Sequence, residues 1–219
     1  MHSDKFKYNL FGRFKGRKKT DLNFLHGFNK YKLNISRDID KKNYNILDIG
    51  SGSGENAICL SNKYPEARII TCELYKDGNI NLYNKIINNK INNIRLFCGN
   101  VFEFLDQIKP IFIFDEIWIL FPDPWTKKRH HKRRLINNSF MNKITLFHKN
   151  SGRLMLASDS QSYIQLFFKT IYDSRHLYTW QNQRIEEWNY GNLALCKTKF
   201  YEKAKKSNRK SMFFKLHKI

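Results

Sequence analysis

Acid is what this chain has least of: 19 Asp and Glu stand against 40 Lys and Arg, for a formal charge of +21. A protein so unbalanced most often meets nucleic acid, and less often an anionic membrane surface. Long apolar runs are missing as well. The most apolar stretch, "IFIFDEIWILF" (111–121), is broken by Asp115 and Glu116 and falls short of the roughly 20 residues a spanning helix needs. That argues against a membrane role. A secretory leader is not expected either, because the basic opening "MHSDKFKYNLFGRFKGRKK" has no apolar segment behind it. Cysteine is sparse: Cys59, Cys72, Cys98 and Cys196 are unevenly spaced and form no CxxC pair. Neither a zinc site nor a thioredoxin-like motif is indicated, and no metal is expected. Each cysteine lies in an apolar stretch, so the expectation is four small buried hydrophobes in a reduced, cytoplasmic protein. No internal repeat is found at any period.

What is present suffices for one core. The chain has 219 residues, 41% of them hydrophobic, which favours a single folded domain. Residues 1–42 are basic and interrupted by Gly12 and Gly16, and read as an arm; residues 43–219 read as the domain. There an alternation begins. Strands are expected at 45–49, 67–74, 94–98, 115–121 and 152–158, and later near 176–181 and 211–217. Helices are expected between them, at 55–64, around 80–91, at 101–108, around 136–147 and around 164–171. The Asn- and Ile-rich "INLYNKIINNKINN" (80–93) looks like low complexity, but Ile80, Tyr83, Ile87 and Ile91 fall in helical phase. Strands alternating with helices imply an α/β fold, a mostly parallel sheet with helices on both faces. Ligands in such sheets sit beyond the strands' carboxyl ends. That rule places Gly50–Gly54, Glu73, Gly99–Asn100 and Pro122–Asp123 along one rim.

The glycine loop "LDIGSGSGEN" (47–56) lacks the third glycine of a dinucleotide fingerprint, since Glu55 occupies that position. A carboxylate there would also face a pyrophosphate. The spacing Gly50-x-Gly52-x-Gly54 suits a ligand without phosphate, such as S-adenosyl-L-methionine, whose amino acid and ribose approach bare backbone. Asp48 is placed to accept from the ammonium of such a ligand and Glu73 from its ribose hydroxyls. Asn100 is placed to pair with adenine, because a side-chain amide offers both donor and acceptor.

The most informative stretch is "FPDPWTKKRHHKRRL" (121–135). One carboxylate, Asp123, stands between two prolines, and Lys127, Lys128, Arg129, Lys132, Arg133 and Arg134 follow it. Pro122 fixes its own φ and Pro124 biases Asp123 toward extended conformations, so this acid is stiffly held. The cations, with His130 and His131, suit a ribose–phosphate backbone.

Taken in order, "LDIGSGSG", "CEL", "CGN" and above all "FPDPWTKKRHHKRR" resemble the tRNA (guanine-N7)-methyltransferase family, with further likeness in "FGRFKGRK" (11–18), "ASD" (157–159) and "TKFYEKA" (198–204). The resemblance implies a Rossmann-like class I methyltransferase with a seven-stranded sheet, acting on a guanine in the variable loop of tRNA with S-adenosyl-L-methionine, as monomer or homodimer. It also implies cofactor contacts at Asp48, Gly50, Gly52, Glu73, Asn100 and Asp123, with Asp123 catalytic. Substrate contacts fall on Lys127, Asp159, Thr198, Lys199, Phe200 and Tyr201, and RNA contacts on Arg129, His130, His131, Lys132, Arg133 and Arg134. Three positions depart from the family's pattern. Asp48 stands where many members have Glu, Asn100 where Asp is usual, and Tyr201 where Glu is usual, with Glu202 beside it. Two other readings stay open: an RNA methyltransferase acting on an exocyclic amine, and a non-catalytic RNA-binding module.

Overall fold

In the computed structural model, residues 26–109, 113–189 and 196–219 are described; the "FGRFKGRK" stretch (11–18) lies outside them. Strand β1 (Asn45–Ile49) is buried along its whole length, as an apolar run in the middle of a sheet must be. It pairs in parallel with β2 (Arg68–Cys72) on one side and β4 (Phe114–Leu120) on the other. β3 (Ile94–Phe97) extends the sheet beyond β2, and β5 (His148–Ser158) beyond β4, both in parallel. The last strand in the chain, β7 (Met212–Lys218), inserts antiparallel between β5 and β6 (Tyr178–Trp180). The order is therefore β3-β2-β1-β4-β5-β7-β6, a seven-stranded sheet with one reversed strand.

Alternate residues of the central strands face two separate helical layers. Ile46, Ile69, Leu96 and Trp118 pack with Leu60 of α3 (Glu55–Lys63) and with Ile80 and Ile86 of α4 (Lys76–Asn88). Leu47, Ile70, Ile117 and Leu154 pack with Phe104 of α5 (Val101–Gln107), Phe140 of α6 (Asn138–Thr145) and Phe167 of α7 (Gln161–Asp173). The two charges in the β4 run are satisfied locally. Buried Glu116 accepts from Tyr44 and Trp118 and pairs with Arg153, while Asp115 takes Lys149 and the Asn45 N–H.

Two short helices, at Phe28–Tyr31 and Ile35–Asp38, precede β1. Phe28 and Tyr31 are buried against Tyr83, Leu33 N–H bonds to Leu96, and Asp38 pairs with Arg95. The described part of the basic segment is thus packed along the β3 edge. A last helix, Lys199–Lys206, is labelled α8 when the short pair are α1 and α2.

Some expectations need correction. Ile87 was assigned to the apolar face of α4, yet it is 44% exposed while Leu82 and Ile86 are buried. Ile87 lies one residue before the end of α4, at the margin of a buried face that centres on Asn79, Leu82, Tyr83 and Ile86. Of the four cysteines only Cys72 is a buried free thiol; Cys98 lies past the end of β3 and is exposed. Cys59 and Cys196 form a disulfide with their Cα atoms 6.1 Å apart. Partners 137 residues apart leave no local signature that could have shown this.

Candidate active site

Parallel strands bring their carboxyl ends to one edge, and backbone bonds lock those ends together. Gly50 N–H donates to Cys72, Glu73 N–H to Phe97, and Phe121 N–H to Ala157. This edge carries Asp48, the glycine loop, Glu73, Asn100, Asp123 and Asp159.

The loop after β1 turns sharply because Gly50, Gly52 and Gly54 all adopt left-handed backbone, with φ of 71°, 55° and 81°. Gly54 is further confined, since a methyl group there would overlap the Leu82 side chain of α4. Gly78 was not singled out by sequence reasoning. A Cβ at that position would stand 2.6 Å from the Gly52 carbonyl oxygen, so α4 approaches the loop only because residue 78 is bare. A glycine so early in a helix was the available signal.

Glu73 ties the loop to β2. Its Oε2 accepts from Gly52 N–H at 2.8 Å and its Oε1 from Tyr75 N–H at 2.6 Å. Burial raises its pKa, Asp123 nearby adds to that, and these backbone donors oppose it. Asp48, in β1, is 2% exposed. Its Oδ1 accepts from Asn56 Nδ2 at 3.2 Å, while Oδ2 is buried without a partner, as is Ser51 Oγ. Burial pushes the Asp48 carboxyl up to about 7; the Asn56 amide opposes the shift, and Glu73 and Glu55 reinforce it. Asn100 caps α5, its Oδ1 accepting from Phe102 N–H at 2.8 Å, which leaves the Nδ2 hydrogens for another acceptor.

Asp123 follows β4 on a loop held in an unusual shape. Phe121 and Trp125 on either side have φ of 52° and 43°, a region bulky residues rarely enter. Asp123 itself is exposed, although partial desolvation raises its pKa. Trp125 anchors the loop: His130 meets its ring edge-on at 5.9 Å and the Arg133 guanidinium lies 5.1 Å over it.

The basic run divides by exposure. Lys127, Lys128, Arg129 and Lys132 are exposed on and beside a 3-10 turn (Lys128–Arg133), with His130 and His131 half-buried. Arg134 was assigned to RNA, and here the structure corrects the assignment. It is 4% exposed and all three of its guanidinium nitrogens donate to the protein's own oxygens.

The segment at the start of α8 lies over the glycine loop. The Phe200 ring stands 3.7 Å from where a Gly52 Cβ would be. Tyr201 packs on Phe213 and joins Phe121 and Ala157. Thr198 Oγ1 caps the helix by accepting from Tyr201 N–H, and Lys199 is exposed. Asp159, at the end of β5, pairs with Arg209 at 2.7 Å. Among the described residues, no three His, Cys, Asp or Glu side chains are grouped to hold a metal, and no helix is long and apolar enough to cross a membrane.

Residues 42–214 match the family described as "Putative methyltransferase". Among curated proteins, the chain is 33% identical over 177 residues to a tRNA (guanine-N(7)-)-methyltransferase of Buchnera aphidicola, covering 79% of this chain and 72% of that one. It is 36% identical over 133 residues to the protein of that name from Nitrosococcus oceani, covering 61% of this chain and 56% of the relative. The corresponding Corynebacterium diphtheriae protein is 38% identical over 120 residues, with 55% and 46% covered. Two of these three alignments therefore span only about half of the relative. Solved structures of similar shape include an rRNA methylase from Streptococcus thermophilus, with a TM-score of 0.53 and 12% identity over 84% of this chain and 92% of that one. NSun6 from Pyrococcus horikoshii aligns with a TM-score of 0.58 and 14% identity over 81% and 48%. At such identities the likeness speaks to the Rossmann-like class I methyltransferase fold alone.

Proposed function

The chain belongs to the tRNA (guanine-N7-)-methyltransferase family, and on that premise we propose that it methylates N7 of a guanine in tRNA, at position 46 of the variable loop, from S-adenosyl-L-methionine. The observation that carries this reading is the row of carboxyls along one rim, ending in Asp123 with exposed cations directly behind it. The rim suits a cationic, hydroxyl-bearing ligand. Asp48 Oδ2 and Ser51 Oγ are buried without partners, and the space over Gly50 is open. A buried acceptor without a donor is costly unless a ligand supplies one. In this assignment Asp48, Gly50, Gly52, Glu73, Asn100 and Asp123 hold the cofactor. Lys127, Asp159, Thr198, Lys199, Phe200 and Tyr201 hold the nucleotide. Arg129, His130, His131, Lys132 and Arg133 meet the RNA backbone, and the basic segment 1–42 precedes the domain at 43–219 and packs against it from residue 26 onward. With tRNA as substrate, the enzyme acts in the cytoplasm.

When bound, S-adenosyl-L-methionine supplies a methyl group carried on a sulfonium. Guanine N7 has an in-plane lone pair and no hydrogen, so no residue has to remove a proton. Positive charge moves onto the guanine ring during transfer, and a fixed carboxylate lowers the barrier to that movement. Asp123 supplies it, on a loop whose shape is set before substrate arrives. Its oxygens also match the N1–H and N2–H donors of guanine, a pattern adenine lacks.

The test is to incubate the protein with tRNA and methyl-labelled cofactor, digest the RNA and identify the labelled base. The expected product is 7-methylguanine at one variable-loop position. Label on an exocyclic amine, or no transfer at all, overturns the reading.

A further inference from the structure

Of all the cations in the 127–134 run, Arg134 alone is turned fully inward, at 4% exposure. Its Nε donates to the Pro124 carbonyl at 2.8 Å. Its Nη1 donates to the Ser162 carbonyl at 3.0 Å and its Nη2 to Ser162 Oγ at 2.8 Å. The guanidinium also lies 5.0 Å over the ring of Tyr163, whose hydroxyl accepts from Ile136 N–H at 3.0 Å. One planar group thus joins two separate segments. Pro124 directly follows Asp123, and Ser162 lies three residues beyond Asp159.

From this geometry we propose that Arg134 is a positioning residue, holding the Asp123 loop against the start of α7 so that Asp123 and Asp159 keep a fixed relation across the base. The proposal rests on the functional reading above for what that relation is used for. The loop needs such a restraint. Phe121 and Trp125 sit in left-handed backbone, which persists only where the surroundings hold it. Its N-terminal end is held by Phe121 N–H on the Ala157 carbonyl at 2.8 Å. Its C-terminal end is held by Arg134. A lysine cannot replace it: an ammonium on a flexible stem lacks the fork that spans the Pro124 oxygen and both Ser162 oxygens at once. Nor does Arg134 reach a phosphate, since every guanidinium nitrogen is already engaged inside the protein.

Three measurements on Arg134→Lys separate positioning from RNA contact. Saturated single-turnover transfer should fall about tenfold or more, while tRNA affinity stays within about twofold and its dependence on log salt keeps the wild-type slope. Arg129→Ala should instead lower that slope by roughly 0.7 to 0.9, the loss of one phosphate contact. Amide exchange at Phe121 and His130, whose N–H groups are bonded to the Ala157 and Lys127 carbonyls, should quicken about tenfold in Arg134→Lys. Tyr178→Phe is the control for lost stability, because Tyr178 is fully buried at the opposite sheet edge with its hydroxyl on His148. That variant should lower Tm and leave transfer and loop exchange as in the wild type. A flattened salt slope in Arg134→Lys, wild-type transfer, or unchanged loop exchange would each overturn the proposal. The functional reading fails differently, by absence of 7-methylguanine from the wild-type reaction, and loop exchange then still decides what Arg134 does.

Discussion

Asp48 makes cofactor affinity depend on pH in a way that can be worked out beforehand. Its carboxyl, 2% exposed and with Oδ2 unpartnered, keeps its proton up to about 7 in the free protein. A ligand ammonium at Oδ2 favours the ionised form, so binding should expel that proton. If only the ionised form binds, the apparent dissociation constant scales as 1 + 10^(7 − pH), roughly 33 at pH 5.5 and 2 at pH 7. Affinity should therefore rise about 15-fold over that interval, below the range where the ligand's own amino group titrates near 7.7–8.0. Calorimetry in two buffers of different ionisation enthalpy should show about half a proton released per ligand at pH 7. Asp48→Asn keeps an acceptor for Asn56 and removes the charge. It should erase the pH slope and weaken binding at pH 7 by about 1.5–3 kcal/mol. Stability should move the opposite way. A carboxyl raised by folding from 3.8 to about 7 adds stability in full below pH 4 and loses it as pH rises through 7. The ionised folded state is thus disfavoured by about 4 kcal/mol at most, and Asp48→Asn should raise Tm at pH 8. A flat wild-type affinity profile, or the same slope in Asp48→Asn, would refute the argument.

Asp123→Ala should bind tRNA as the wild type does, because the exposed cations are untouched, while single-turnover transfer drops about 10²-fold; an equal loss in both would make Asp123 a scaffold residue. Gly54→Ala places a side chain at φ 81° against Leu82. It should cost about 1–3 kcal/mol in a urea melt, and a neutral result would mean that α4 shifts freely. With Cys59 and Cys196 joined, denatured unreduced protein should titrate two thiols and reduced protein four. Reduction should destabilise the fold by about 2–4 kcal/mol, and four thiols before reduction would show that the pair is open.

The sheet was legible because buried parallel strands are written as short, mainly apolar runs, as "NILDI" and "DEIWILF" are despite Asn45, Asp48, Asp115 and Glu116. The rim follows from the rule that such strands end together, which makes Asp48, Glu73, Asn100 and Asp123 legible in the sequence as one row. What stayed hidden depends on contacts between distant segments. Nothing local in "MFFKLHK" says that it inserts between β5 and the earlier β6, and nothing near Cys59 points to Cys196. The basic run shows the limit most sharply. Lys127 to Arg134 read as one charged string, because composition records which residues are cations and not which way they turn. A 3-10 turn separates them physically. Its exposed members remain available to a polyanion, whereas Arg134, one residue past its end, is drawn under the loop by Pro124 and Ser162. A lone acid can therefore stand beside so much positive charge without being neutralised by it. Arg134, bonded to the carbonyl of the residue after Asp123, is committed to carbonyl and hydroxyl oxygens, and Arg133 lies over Trp125. Lys127, Lys128, Arg129 and Lys132 are exposed to solvent, where RNA would meet them.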